Sequence, residues 1–180
     1  PSTEWDTMID CLVDWIDEGD LHGLNGAESD DPFYEERGYP VKNGPLDSVE
    51  ELLLIKGWGE EILYGKKADD DSDEIFGIAE YLTVWGDGKL NLNSASIDTR
   101  RAAGLTDEEI MEIMEARKDP FGDPNGLGAG IKDLAAVGAD PNKFKLQSDF
   151  VKVTSVGDMF GNQYQIECIF LLKGKNPVTV

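Results

Sequence analysis

Between Asp14 and Asp31 the chain reads DWIDEGDLHGLNGAESDD: seven carboxylates, three glycines, no lysine and no arginine. Like charges three and four residues apart repel on a helix. Carboxylates at a helix C-terminus also meet its partial negative charge. Such a segment ends a helix and becomes a loop, which either solvates its charge or closes around a cation. Asp14 and Asp17, at i and i+3, can point the same way from a last helical turn. Asp20 follows, and a glycine-rich arc through Gly23 and Gly26 can bring Glu28, Asp30 and Asp31 back toward them. Oxygen donors at irregular spacing suit a hard divalent cation. Calcium fits better than magnesium, because it tolerates about 6–8 irregular ligands, backbone carbonyls included. From the residues alone both readings, solvated loop and calcium loop, stay open.

A second acidic run, ADDDSDE over residues 68–74, puts Asp69, Asp71, Asp73 and Glu80 in an EF-hand-like order, but Glu74 stands where the turn glycine belongs. It reads as an exposed, flexible loop. His22 has no second histidine beside it and is given no catalytic role.

The net charge of -21 over 180 residues disfavours nucleic-acid phosphates and anionic lipid, and favours cations. No apolar run approaches the roughly 20 residues that span a bilayer. The chain opens Pro1-Ser2-Thr3, with neither an initiator methionine nor a signal pattern, as expected of a processed or trimmed chain. Cys11 and Cys168 are too few for a disulfide framework or a zinc site, and are expected to be small buried apolar groups. No nucleophile motif, histidine pair, phosphate loop or HExxH is present, so no enzymatic role is expected.

Trp5, Met8, Ile9, Leu12, Val13 and Ile16 recur at helical spacing, which predicts one apolar stripe on a helix capped by Ser2 or Thr3 and ended near Gly19. Residues 18–45 show no sustained periodicity. Asp47 is expected to cap a helix over Ser48 to Ile55, and a short helix follows from Glu60 to Tyr64. Ile75 to Leu82 reads as a helical turn or two, Thr83 to Trp85 as extended, and Lys89 to Asn93 as a short alternating segment. Ser96 or Asp98 starts another helix. Thr106 with Glu109 forms a capping box for the next, with Ile110, Ile113, Met114 and Arg117 inward. Beyond a Gly/Pro-rich stretch, 119–130, a helix is expected over Ile131 to Ala136. Asp149 to Thr154 and Gln163 to Leu172 are rich in β-branched and aromatic residues and read as two strands around a turn. A lone hairpin after a helical array is unusual, because a hairpin needs further strands or a helix to pack on.

Three stretches together resemble the K-type minor pseudopilin family of bacterial type II secretion (general secretion pathway protein K). They are Asp14-Trp15-Ile16-Asp17 with Gly26-Ala27-Glu28 and Tyr34; Pro45 to Gly57 (PLDSVEELLLIKG); and Tyr81 to Ala95 (YLTVWGDGKLNLNSA). Order and spacing match over residues 5 to 172. The resemblance implies an α+β fold: a mainly helical inserted domain over 1–146, with the acidic loop at 14–36 and the flexible run at 66–74. Residues 147–180 would supply a C-terminal β-hairpin of a pilin-like sheet. It further implies calcium held by Asp14, Asp17, Asp20, Glu28 and one of Asp30 or Asp31. Ser29 departs from the family pattern after the glutamate and leaves the last ligand open. The implied role is non-enzymatic, at the tip of a periplasmic pseudopilus. Other minor pseudopilins would be the partners, secreted substrate or the outer-membrane secretin further candidates, and an N-terminal membrane helix absent from this chain the anchor.

Leu90 to Ser96, the two short helices after it, and Ile131 to Gly138 resemble tandem helix-hairpin-helix DNA-binding domains. There, glycine-bounded turns present backbone N–H groups to phosphate. Here the turns Gly104-Leu105-Thr106 and Gly138-Ala139-Asp140 lack the second glycine, and Asp107 and Asp140 put negative charge where phosphate would lie. The expectation is that the helices are shared and the nucleic-acid function is not. The alternatives to a pseudopilin are a calcium-stabilised acidic interaction module and, less favoured, a helix-hairpin-helix nucleic-acid-binding protein.

Overall fold

The computed structural model describes residues 2–68, 74–117, 130–172 and 178–179. The chain divides into two compact units, Pro1–Val84 and Trp85–Val180.

In the first unit, α1 (Ser2–Ile16) carries the carboxylate loop at its C-terminal end. The helix begins at Ser2, so Ser2 and Thr3 lie within it rather than capping it. Its buried face is Met8, Cys11, Asp14 and Trp15, whereas Trp5, Ile9, Val13 and Ile16 are exposed. The predicted stripe is therefore split, because the indole of Trp15 turns this helix toward the aromatic side chains that follow. Trp15 lies 5.9 Å from Tyr34 and 6.3 Å from Tyr39, ring centre to ring centre. With Ala27, Val41, Leu52, Ile55 and Leu63 these residues make the core.

The segment 18–45 contains a short helix, α2 (Pro32–Arg37), that periodicity over six residues cannot reveal. Its signals are chemical: Asp31 accepts from Phe33 N as the N-cap, Pro32 opens the helix, and Gly38 closes it in the left-handed region at φ 75°. The helix expected over Ser48 to Ile55 is instead a 3-10 turn, Val49–Leu54, entered from Ser48. Next come α3 (Glu60–Tyr64), β1 (Gly65–Lys66) and β2 (Ile75–Phe76), the two strands paired antiparallel. Only the 3-10 turn Ala79–Tyr81 remains of the helix expected over Ile75 to Leu82. The acidic run at 69–73 lies outside the described residues.

In the second unit, β3 (Leu90–Asn91) pairs in parallel with β4 (Phe144–Lys145). Between them lie α4 (Ile97–Ala102), with Ser96 accepting from Thr99 N, and α5 (Asp107–Arg117). Thr106 and Glu109 form the predicted capping box: Thr106 N–H donates to Glu109 Oε2 and Glu109 N–H to Thr106 Oγ1. Ile110 and Ile113 are buried as predicted, but Met114 is exposed. The core gathers Leu92, Leu105, Ile110, Ile113, Ile131, Ala139 and Phe144. Asn93 stitches it: its amide nitrogen donates to the carbonyls of Ile131 and Leu146, and its oxygen accepts from Ile131 N at 2.7 Å. That bonding engages both the N–H and the carbonyl of Ile131 outside a helix, and the helix expected over Ile131 to Ala136 is only a 3-10 turn, Ala135–Val137.

The unit ends in β5 (Phe150–Met159) and β6 (Asn162–Leu171), an antiparallel hairpin, with β7 (Val178–Thr179) paired along β6. The first strand runs past Thr154, where it was expected to end, to a two-residue turn at Phe160-Gly161 with positive φ at both positions. The pairs Val151–Phe170, Val153–Cys168, Ser155–Ile166 and Gly157–Tyr164 share one face of the pleat. Both cysteines are free thiols.

Candidate functional site

The last turns of α1 point Asp10 and Asp14 at the loop that follows. Asp10 Oδ2 accepts from Asn25 N and from the Asn25 amide, and both oxygens of Asp14 accept from Gly23 N at 3.0 and 3.1 Å. Two helix carboxylates thus pin the glycine arc against the helix that precedes it. Gly26 is needed at the tightest point: a Cβ there would overlap the Asp14 carboxylate. Asp17 Oδ1 accepts from Gly19 N, which closes the turn out of the helix.

Folding back in this way buries two acids. Asp14 is 2% exposed and Glu28 4%. Glu28 Oε1 has no hydrogen-bond partner, although it is out of solvent. Burial pushes the Glu28 carboxyl above the ordinary glutamate range, and the negative charges of Asp14, Asp17, Asp20 and Asp30 push it further the same way. The same four aspartates that raise the carboxyl are four of its predicted companions. The fold therefore brings Asp14, Asp17, Asp20, Glu28 and Asp30 into one electrostatic neighbourhood. Among the described residues no three Asp, Glu, His or Cys side chains yet stand as a closed metal-holding group. The carboxylates are neighbours rather than a finished cage.

Asp31 has other commitments. Its Oδ1 caps α2 at Phe33 N, and its Oδ2 accepts from Lys56 Nζ at 2.7 Å. Burial works against its charge, but the Lys56 ammonium and the Phe33 N–H prevail and hold its carboxyl below the ordinary range. Of the two aspartates left open by the sequence, Asp30 is the one with its side chain uncommitted to the α2 cap. Ser29, the departure from the family pattern, donates nothing to the acidic group; its hydroxyl accepts from Val41 N and ties the loop to the core. His22 is exposed, with its ring Nδ1 3.0 Å from Gly23 O.

Sequence reasoning missed Asp10 and Glu51. Glu51 is a hub: it accepts from the Trp15 indole, from Lys42 Nζ and from Asp47 N. It fixes α1 relative to the 3-10 turn and hence fixes the base of the loop. Only its place three residues after a helix-start residue could have marked it.

Residues 1–64 match the family model for the first domain of type II secretion system protein K. That stretch contains the pinned loop, its helix and the Glu51 hub. Over residues 1–64 the chain is similar in sequence to protein K. The type II secretion system protein K of Klebsiella pneumoniae is 29% identical over 115 residues, which cover 59% of this chain and 32% of that protein. A chain in the crystal structure of the GspK-GspI-GspJ complex from the enterotoxigenic Escherichia coli type 2 secretion system superposes with a TM-score of 0.62 at 14% identity. The superposition covers all of this chain and 63% of that one, so it speaks for a shared fold of mixed helices and small sheets. The chain spans about a third of the length of the Klebsiella protein K it matches.

Proposed function

We propose that this chain belongs to a non-enzymatic minor pseudopilin that works at the tip of the type II secretion pseudopilus. The observation that carries the reading is the match of residues 1–64 to protein K, with a superposition that extends over the whole chain. In the Escherichia coli structure the K-type protein is found in complex with GspI and GspJ. Here the partners are taken to be minor pseudopilins of those types, in the periplasm, with an inner-membrane anchor in the full-length protein. The hairpin β5–β6 supports a pilin-like part: Val151, Val153, Met159, Tyr164 and Ile166 expose one apolar side of a sheet that has three strands among the described residues. The α4 and α5 region is read as a helix-hairpin-helix relic without nucleic-acid function, because Asp107 pairs with Arg101 where a phosphate would have to enter.

Calcium is assigned to the pinned loop. A buried glutamate oxygen without a partner, raised in pKa by surrounding carboxylates, is what a hard cation would relieve. Asp14, Asp17, Asp20, Glu28 and Asp30 would hold it, with backbone carbonyls completing the shell. When bound, the ion supplies positive charge that converts carboxylate repulsion into coordination. The protein's own part is to pre-bend the loop through Asp10, Asp14 and Gly26.

Two experiments test the two halves separately. Thermal melts in chelator, millimolar calcium and millimolar magnesium should show calcium raising the midpoint; at 100 Kd the gain is about 2.7 kcal/mol. Glu28→Gln should remove that response. Indistinguishable melts in all three conditions would return the loop to a solvated surface. Size-exclusion chromatography of the full periplasmic part with I- and J-type pseudopilins should yield a joint complex, and elution of all three as separate species would overturn the assembly reading.

A further inference from the structure

We propose that the outward face of α1 is a docking surface for a basic amphipathic helix of a partner protein. The helix is apolar on two sides. Met8, Cys11 and Trp15 are packed inward, while Trp5, Ile9, Val13 and Ile16 are 57, 56, 47 and 41% exposed. Scattered exposed apolar residues are ordinary. These four are not scattered: at spacings of four, four and three they form one ridge about 16 Å long on a helix. A tryptophan at one end adds the amphipathic anchor that interfaces favour. No residue of this ridge belongs to the core of the unit.

Charge identifies the occupant. Residues 1–84 carry 23 aspartates and glutamates against five lysines and arginines, so most of the chain's excess negative charge sits in the unit that bears the ridge. On the helical wheel Asp6, Asp10 and Asp17 fall along one flank of the ridge. A second copy would bring the same acidic surface against itself, and anionic lipid would be repelled equally. An apolar stripe bordered by lysine or arginine complements both features. A ridge of three turns is matched by a helix of similar length packing ridge into groove. The four apolar side chains of the ridge take no part in the loop's hydrogen bonds, although the Val13 carbonyl accepts from Asp17 N at 2.9 Å where the loop leaves the helix.

The test uses the whole chain and a three-heptad synthetic helix with leucine at a and d and lysine at e and g. Isothermal titration at low salt should give a dissociation constant in the range of about 10–100 μM, weakening as salt is added. The double variant Ile9→Asn/Val13→Asn alters only exposed side chains, and circular dichroism checks that it folds. It should bind at least about tenfold more weakly, a loss of ~1.4 kcal/mol. The same peptide with glutamate at e and g should not bind. Equal affinity of the double variant and the parent chain would reduce the attraction to bulk charge and overturn the proposal. So would absence of binding to the lysine peptide, or self-association in the ultracentrifuge that the double variant abolishes.

Discussion

Glu51→Ala should destabilise the first unit more than any neighbouring acidic-to-alanine change, through one group. The Glu51 carboxylate accepts three hydrogen bonds, from Trp15 Nε1 at 2.8 Å, Lys42 Nζ at 2.9 Å and Asp47 N at 2.8 Å. Their losses differ. Lys42 keeps its contact with the exposed Asp47 carboxylate, and a surface pair of that kind contributes little. Asp47 N–H can turn to water. The Trp15 ring is 3% exposed, so its N–H would lose a partner that water cannot easily replace. An unsatisfied buried donor costs about 1–3 kcal/mol, and roughly 2 kcal/mol is the expected total. At about 4–8 °C per kcal/mol for a unit of this size, the melting point should fall by roughly 8–16 °C. Glu51→Gln keeps an acceptor for the indole and should fall by about half as much. Thermal melts followed by near-UV circular dichroism report this transition, because Trp15 lies among Tyr34 and Tyr39. If alanine and glutamine variants both melt within a degree of the parent, or if glutamine is as damaging as alanine, the hub assignment is wrong.

Three other outcomes follow from the same geometry. Gly26→Ala forces a Cβ into the Asp14 carboxylate and should cost ~2 kcal/mol and the calcium response together, read as a lower melting midpoint in chelator and no rise with calcium. Asp31 has its pKa lowered in the fold. Its stabilising contribution is therefore full above the ordinary carboxylate pKa and is lost as pH falls through the folded value. Melting points measured from pH 6 down to about 3 should decline less steeply in Asp31→Asn than in the parent, and parallel declines would contradict the Lys56 pairing. Finally, Cys11 is fully buried and its thiol is pushed up to about 11, first by burial, whereas Cys168 is partly exposed. One thiol should react promptly with a disulfide reagent in the folded protein and two after denaturation; two prompt thiols would mean the α1 core opens readily.

The local signals that were legible in the sequence are those in which a side chain satisfies its own backbone. Ser96 and the Thr106–Glu109 box cap helices as their spacing says, since capping needs only neighbours three residues away. The hairpin strands were legible for a similar reason, as β-branched and aromatic residues alternate through both. Asp31-Pro32 carried an equally local signal for α2, which a search for periodicity alone passes over.

Elsewhere the sequence left choices that only packing could make. Six apolar residues marked α1 as a helix, but the apolar arc is wider than one packed face needs, and the pattern could not say which part of it is inward. Trp15 decided it, through an indole hydrogen bond to Glu51 thirty-six residues away. Asn93 likewise decided that Ile131 stays outside a helix, by bonding both to that residue and to Leu146. In the acidic loop the sequence by itself determined the charge, and with it the alternatives of repulsion or a cation. Tertiary structure determined which commitments the carboxylates make: Lys56 and the α2 cap engage Asp31, while burial and the charges of Asp14, Asp17, Asp20 and Asp30 raise the Glu28 carboxyl. The physical reason is range. Caps, turns and alternation act within a few residues, whereas burial and charge pairing depend on partners that only the folded chain brings within a few ångströms.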